Sequence, residues 1–121
     1  MSRDAPELSC PVEAMFRVLM RPWTMYILWT LRREGPLRFG VLKERLDGVS
    51  PKVLTERLRL LEAKGLVDRE HKLTIPPEVT YGLTKFGREL GNALDSLESV
   101  ARRWERRAKA APQPARRVPP A

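Results

Sequence analysis

The stretch from Gly48 to Thr84 limits the fold of this chain more than any other. Ser50 is a good helix cap and Pro51 a good first helical residue. Leu54, Leu58 and Leu61 then recur on one face of a helix expected over residues 51–64, and Gly65 stands where a left-handed C-terminal residue belongs. Leu66 to about Lys72 and Glu78 to Leu83 read as strands. Between them Leu73-Thr74-Ile75-Pro76-Pro77 cannot pair as a central strand, so it forms a tip. A capped helix, a strand, a proline tip and a second strand form a helix-turn-helix with a wing, a shape that reads double-stranded DNA.

The rest of the chain fits around that unit. Val12, Met15, Phe16 and Leu19 have the spacing of a helix with one buried face over residues 11–20. Pro22 suits the first turn of a second helix running to about Arg33. That helix is apolar nearly all round (Trp23, Met25, Tyr26, Ile27, Leu28, Trp29, Leu31), as expected at the centre of a core or a dimer interface. Gly35-Pro36 ends it, Leu37-Arg38-Phe39 is short and extended, and residues 40–46 make a third helix. Thr84 caps a long last helix, 84–108, with a stripe of Phe86, Leu90, Ala93, Leu94, Leu97, Ala101 and Trp104. The expected fold is mainly α with a small β-wing. It has one domain, residues 10–108, between a disordered N-terminus, 1–9, and a disordered basic Pro/Ala-rich tail, 109–121.

Charge adds less than its total suggests. The net charge is +8, but residues 100–121 hold seven Arg or Lys against one Glu, so most of the excess lies at the C-terminal end. The DNA reading therefore rests on the motif. The apolar runs are far too short for a membrane span, the first residues lack the apolar stretch of a signal peptide, and one cysteine builds no internal disulfide. These features point to the cytoplasm. No Ser/His/Asp or Cys/His arrangement, glycine-rich phosphate loop or metal-ligand spacing around His71 argues for an enzyme, a cofactor or a metal.

On the expected recognition helix, Lys52, Thr55, Glu56 and Arg59 lie opposite the leucines, with Ser50 and Pro51 leading in. Such a helix uses mainly its N-terminal residues on base edges, so these six are the candidates for base readout. Lys52 and Arg59 can serve guanine acceptors, the Thr55 methyl can meet thymine, and Glu56 can accept from a cytosine amine. Phosphate candidates are Arg38, Lys43, Arg57, Arg69, His71 and Lys72, with Arg57 able instead to pair inside the domain. The plainer reading of all these charges is a solvated face.

The chain resembles the HxlR-type winged-helix transcriptional regulators, relatives of the MarR group. The matching residues are Cys10-Pro11-Val12, Trp23-Thr24, Leu37-Arg38-Phe39 with Leu42, Ser50-Pro51-Lys52-Val53-Leu54-Thr55, Arg57-Leu58, Leu61-Glu62, Gly65-Leu66-Val67, Arg69-Glu70, Pro76-Pro77-Glu78-Val79-Thr80-Tyr81-Gly82-Leu83-Thr84 and Gly87. The resemblance covers residues 10–104. It implies a homodimeric bacterial regulator of near-palindromic operator DNA, with the N- and C-terminal helices forming the dimer. Their apolar stripes make Val12, Met15, Phe16, Leu19, Leu90, Leu94, Leu97, Ala101 and Trp104 the interface candidates. The alternative is that both stripes pack within one monomer.

Two positions depart from the family pattern. Glu78 stands where a basic residue is common, which removes a phosphate partner and adds repulsion at the wing. Arg21-Pro22 replace small and basic residues, with little expected consequence. Some relatives sense electrophiles or oxidants through a cysteine at the start of helix 1, so the resemblance makes Cys10 a sensor candidate. A thiol there also lies at the positive end of a helix dipole. With one cysteine, a switch needs a thiol adduct or a disulfide across the dimer; the alternative is a small structural residue at a helix start. The three tryptophans belong to core or interface, or else to a pocket for a small effector. Two other functions fit the same fold: a DNA-architectural protein without sequence choice, and a protein-interaction winged helix.

Overall fold

The computed structural model describes residues 10–110. They comprise α1 (Pro11–Leu19), α2 (Thr24–Glu34), β1 (Leu37–Arg38), α3 (Phe39–Arg45), α4 (Pro51–Ala63), β2 (Val67–Lys72), β3 (Glu78–Leu83) and α5 (Lys85–Ala110). The expected disorder of residues 1–9 and 111–121 lies outside the described residues; at 109 and 110 the chain is still helical rather than tail. Two compact units divide at Gly91, the first holding everything up to early α5 and the second the remainder of that helix.

The core of the first unit is aliphatic. Ile27, Leu28 and Leu31 of α2 are buried with Leu42 of α3, Leu46 and Val49 of the following turn, and Leu54, Leu58 and Leu61 of α4. Leu19, Leu66 and Val67 complete it. The sheet has the order β1-β3-β2, antiparallel throughout, with Leu37 opposite Tyr81 and Val67 opposite Leu83. The winged-helix order and the mainly α fold with a small β-sheet are thus as the sequence predicts.

Local signals place the ends of α4. Ser50 Oγ accepts a hydrogen bond from Val53 N at 3.1 Å, with Pro51 at the first helical position. At the other end Gly65 has φ +73, Leu66 N donates to Leu61 O at 2.9 Å, and Gly65 N donates to Glu62 O at 3.0 Å. These paired bonds close the helix as a Schellman motif and deliver the chain directly into β2. Thr84 caps α5 while tying it back to that corner. Its Oγ1 accepts from Gly87 N at 2.9 Å and donates to Gly65 O at 2.6 Å, and its backbone N donates to Leu66 O at 3.1 Å.

The start of α2 differs from expectation. Pro22 is not in the helix. Residues 21–24 close a tight turn, with Thr24 N donating to Arg21 O at 3.1 Å, and Trp23 takes a left-handed φ of 75° before the helix opens at Thr24. A proline signals a fixed φ and a missing donor, and a turn uses both as readily as a helix start does. Nor is α2 buried all round. Thr24, Ile27, Leu28 and Leu31 form its buried face, while Tyr26 is 65% exposed. Thr24 is fully buried and its hydroxyl has no hydrogen-bond partner among the described residues. Thr24→Val removes that desolvated group at nearly constant shape. It is expected to raise stability by about 1 kcal/mol, read as a higher urea midpoint at unchanged slope.

Candidate nucleic-acid interface

Helix α3, a five-residue turn and α4 form the helix-turn-helix. The turn depends on Gly48, whose φ is +96, and on Leu46 and Val49, both buried. A Cβ at residue 48 would also lie 3.8 Å from the Trp23 ring, so the indole packs against this turn. With Leu54, Leu58 and Leu61 turned into the core, the opposite face of α4 is open to solvent.

Most of the candidate readout residues are on that face. Ser50, Pro51, Lys52, Glu56 and Arg59 are exposed, and Thr55 is half-buried. Lys52 and Arg59 have no ion-pair or hydrogen-bond partner among the described residues. The hydroxyls are engaged: Ser50 Oγ caps the helix, and Thr55 Oγ1 donates to Pro51 O at 2.8 Å. That bond leaves the Thr55 methyl as its outward chemistry.

Two phosphate candidates prove to be committed elsewhere. Arg57 takes the second of its two expected roles, pairing inside the domain. Its side chain is only 15% exposed, its Nε donates to Pro22 O at 2.9 Å, and its Nη1 lies 3.8 Å from Glu56 Oε2. It therefore faces the α1–α2 corner rather than solvent. Arg38 pairs with Glu78 across the sheet, because β1 lies beside β3 in a register that sets Arg38 opposite Thr80. Glu78 is consequently neutralised within the domain, which corrects the expectation of simple repulsion at the wing. Lys43, His71 and Lys72 are exposed, and Arg69 lies 3.7 Å from Glu62. The wing tip carries Leu73 and Ile75, both fully exposed, and Thr74 Oγ1 donates to Pro76 O at 2.8 Å.

The remaining candidates lie on the terminal helices. On α1, Val12 and Phe16 are about half exposed and Met20 just beyond is 78% exposed, whereas Leu19 is buried and belongs to the core of its own chain. Met15 is intermediate. On α5, Leu97 is 54% exposed, Trp104 is 73% exposed, Ala101 is exposed and Leu90 is intermediate; Leu94 is buried, which removes it from the open stripe. A monomer therefore leaves much of both stripes uncovered. Of the other tryptophans, Trp23 lies tilted at 5.9 Å from Tyr26, and Trp29 lies under the Arg33 guanidinium at 5.8 Å. Cys10 is exposed and occupies the N-cap of α1 without a side-chain capping bond.

The profile of the HxlR-like helix-turn-helix family matches residues 18–109. The chain belongs to that family. One relative, an uncharacterized HTH-type transcriptional regulator of Synechocystis, is 37% identical over 95 residues, 78% of this chain and 70% of its own length. Among solved structures, a MarR-family transcriptional regulator from Enterococcus faecalis V583 superposes with a TM-score of 0.75 at 31% identity, covering 92% of this chain and 98% of that one. The reduced form of the transcriptional regulator YodB from B. subtilis gives 0.68 at 32% identity, covering 76% and 90%. The same regulator also superposes in a quinone-bound form, with a TM-score of 0.65 at 30% identity over 78% of this chain and 99% of that one. As an HxlR-like protein the chain is a transcriptional regulator of the helix-turn-helix type, and its relatives are regulators rather than enzymes. No helix among its described residues is long and apolar enough to cross a membrane.

Proposed function

We propose that this regulator binds near-palindromic operator DNA as a homodimer, with α4 in the major groove. The observation that carries the reading is the outer face of α4: a helix fixed at both ends presents Lys52 and Arg59 to solvent without internal partners. Lys52, Thr55 and Arg59 read base edges, Ser50 and Pro51 form the approach, and Glu56 accepts from cytosine or rejects a wrong register. Lys43, Arg69, His71 and Lys72 meet phosphates and set the salt dependence. The uncovered apolar residues of α1 and of α5 support the dimer.

The decisive experiment is fluorescence anisotropy on the DNA upstream of its own gene, beside a scrambled duplex of equal length at the same salt. A preference of about a thousandfold is the expected result. Tight but equal binding replaces this reading with an architectural role, and no binding to either replaces it with a protein-interaction role. Arg59→Ala should weaken operator binding by about 1–3 kcal/mol while sparing the scrambled duplex. Equal loss on both would make Arg59 a phosphate contact.

The regulation is proposed to run through Cys10, by adduct with an electrophile or by a disulfide across the dimer. Its exposure at the start of α1 supports this, as does the likeness to YodB, whose structures include reduced and quinone-bound forms. Cys10→Ser should abolish any change in operator affinity on treatment with a quinone. Retention of the response removes Cys10 from the mechanism.

A further inference from the structure

We propose that Arg57 is a positioning residue which fixes the attitude of the recognition helix by fastening it to the α1–α2 corner. The proposal rests on the DNA-binding reading above but assigns Arg57 a role other than contact with the nucleic acid. Three features converge on this corner. The Arg57 side chain, only 15% exposed, extends away from the open face of α4 and its Nε donates to Pro22 O at 2.9 Å, a bond spanning 35 residues of sequence. Next in the chain, Trp23 has a left-handed φ of 75°, a conformation that is strained for a non-glycine residue and persists only where its surroundings enforce it. Its indole packs against the Gly48 turn, directly ahead of α4. One corner therefore holds both ends of the relevant lever: the ring steadies the turn before α4, and the carbonyl anchors α4 at Arg57, less than two turns into the helix.

The chemistry favours this use of arginine. A carbonyl already exposed by Pro22 in a turn needs a donor, and a charged donor makes the stronger bond. Because α1 ends at Leu19, just before this turn, the corner lies between α1 and the recognition helix.

Arg57→Gln and Arg57→Met separate positioning from phosphate contact. Glutamine places an N–H donor the same number of bonds from Cα as Nε and removes the charge; methionine keeps the bulk and removes the donor. Two readouts are taken on the full chain: amide hydrogen exchange of residues 46–53 in the free protein, and the salt dependence of binding to operator and random duplexes. Positioning predicts that Arg57→Gln exchanges like the parent, whereas Arg57→Met exchanges about tenfold faster and loses about tenfold in operator preference, both with the parent salt slope. The inference is overturned by parental exchange in Arg57→Met. It is equally overturned if both variants flatten the salt slope by about one and lose affinity alike, the signature of a lost phosphate contact. Failure of the parent chain to bind any duplex would refute the DNA reading, while the exchange measurement still decides the role of Arg57.

Discussion

Gly87→Ala is expected to destabilise the fold by about 3 kcal/mol or more, lowering the thermal midpoint by more than about 12 °C. An added Cβ would lie 2.1 Å from Leu66 O, well inside contact distance. Neither partner can step aside. Leu66 O already accepts from Thr84 N, and Gly87 N already donates to Thr84 Oγ1. The clash sets a Cβ, which no rotamer change can move, against a backbone carbonyl, so it moves α5 off the start of β2 and breaks the Thr84 cap along with it. The gain in helix propensity, about 1 kcal/mol, does not offset this. Circular dichroism melts of the variant and parent give the comparison; a midpoint within a few degrees of the parent would contradict the packing described for this corner. Gly40, whose added Cβ meets nothing within 4 Å, is the natural control.

The double substitution Leu97→Asp/Trp104→Asp should convert the proposed dimer to a monomer and reduce affinity for the proposed operator by about 10²–10⁴, the avidity that joining two half-site contacts provides. Both side chains are more than half exposed within one chain, so their replacement removes little from its own core. Carboxylates in the middle of an apolar interface would instead be desolvated without partners, a large penalty on association. Sedimentation velocity and anisotropy on the same sample test the two halves of the statement. A variant that sediments as the parent does would exclude this stripe as the contact, and a true monomer with undiminished operator affinity would exclude the need for a dimer.

Local chemistry makes much of this molecule legible in its sequence. Ser50, Pro51 and Gly65 act within three residues of themselves, as does the cap that Thr84 places on Gly87 N, and each does what its residue type predicts. The leucine period of α4 separates its two faces for the same reason. What sequence missed was decided by distant partners. Pro22 has the chemistry of a helix start and serves in a turn, because Trp23 must reach Gly48, twenty-five positions further on. Sequence leaves Arg57 between a phosphate contact and a pairing inside the domain, and only the carbonyl of Pro22 decides. Arg38 and Glu78 lie forty residues apart, and only the β1–β3 register turns an expected repulsion into a pair. Leu19 follows its helical period faithfully, yet a period states that a face is covered and not by what.

The strand order has a bearing on solubility. With β3 in the middle, β1 and β2 are the edges, and the first is only two residues long. The second is long enough to recruit a foreign strand, but after Val67 it reads Asp68-Arg69-Glu70-His71-Lys72, every one of them exposed. A partner strand laid along it would have to desolvate alternating charges, and the two prolines at the hairpin tip deny any extension beyond it. Crowding many copies onto neighbouring sites would therefore not nucleate β-aggregation through the wing.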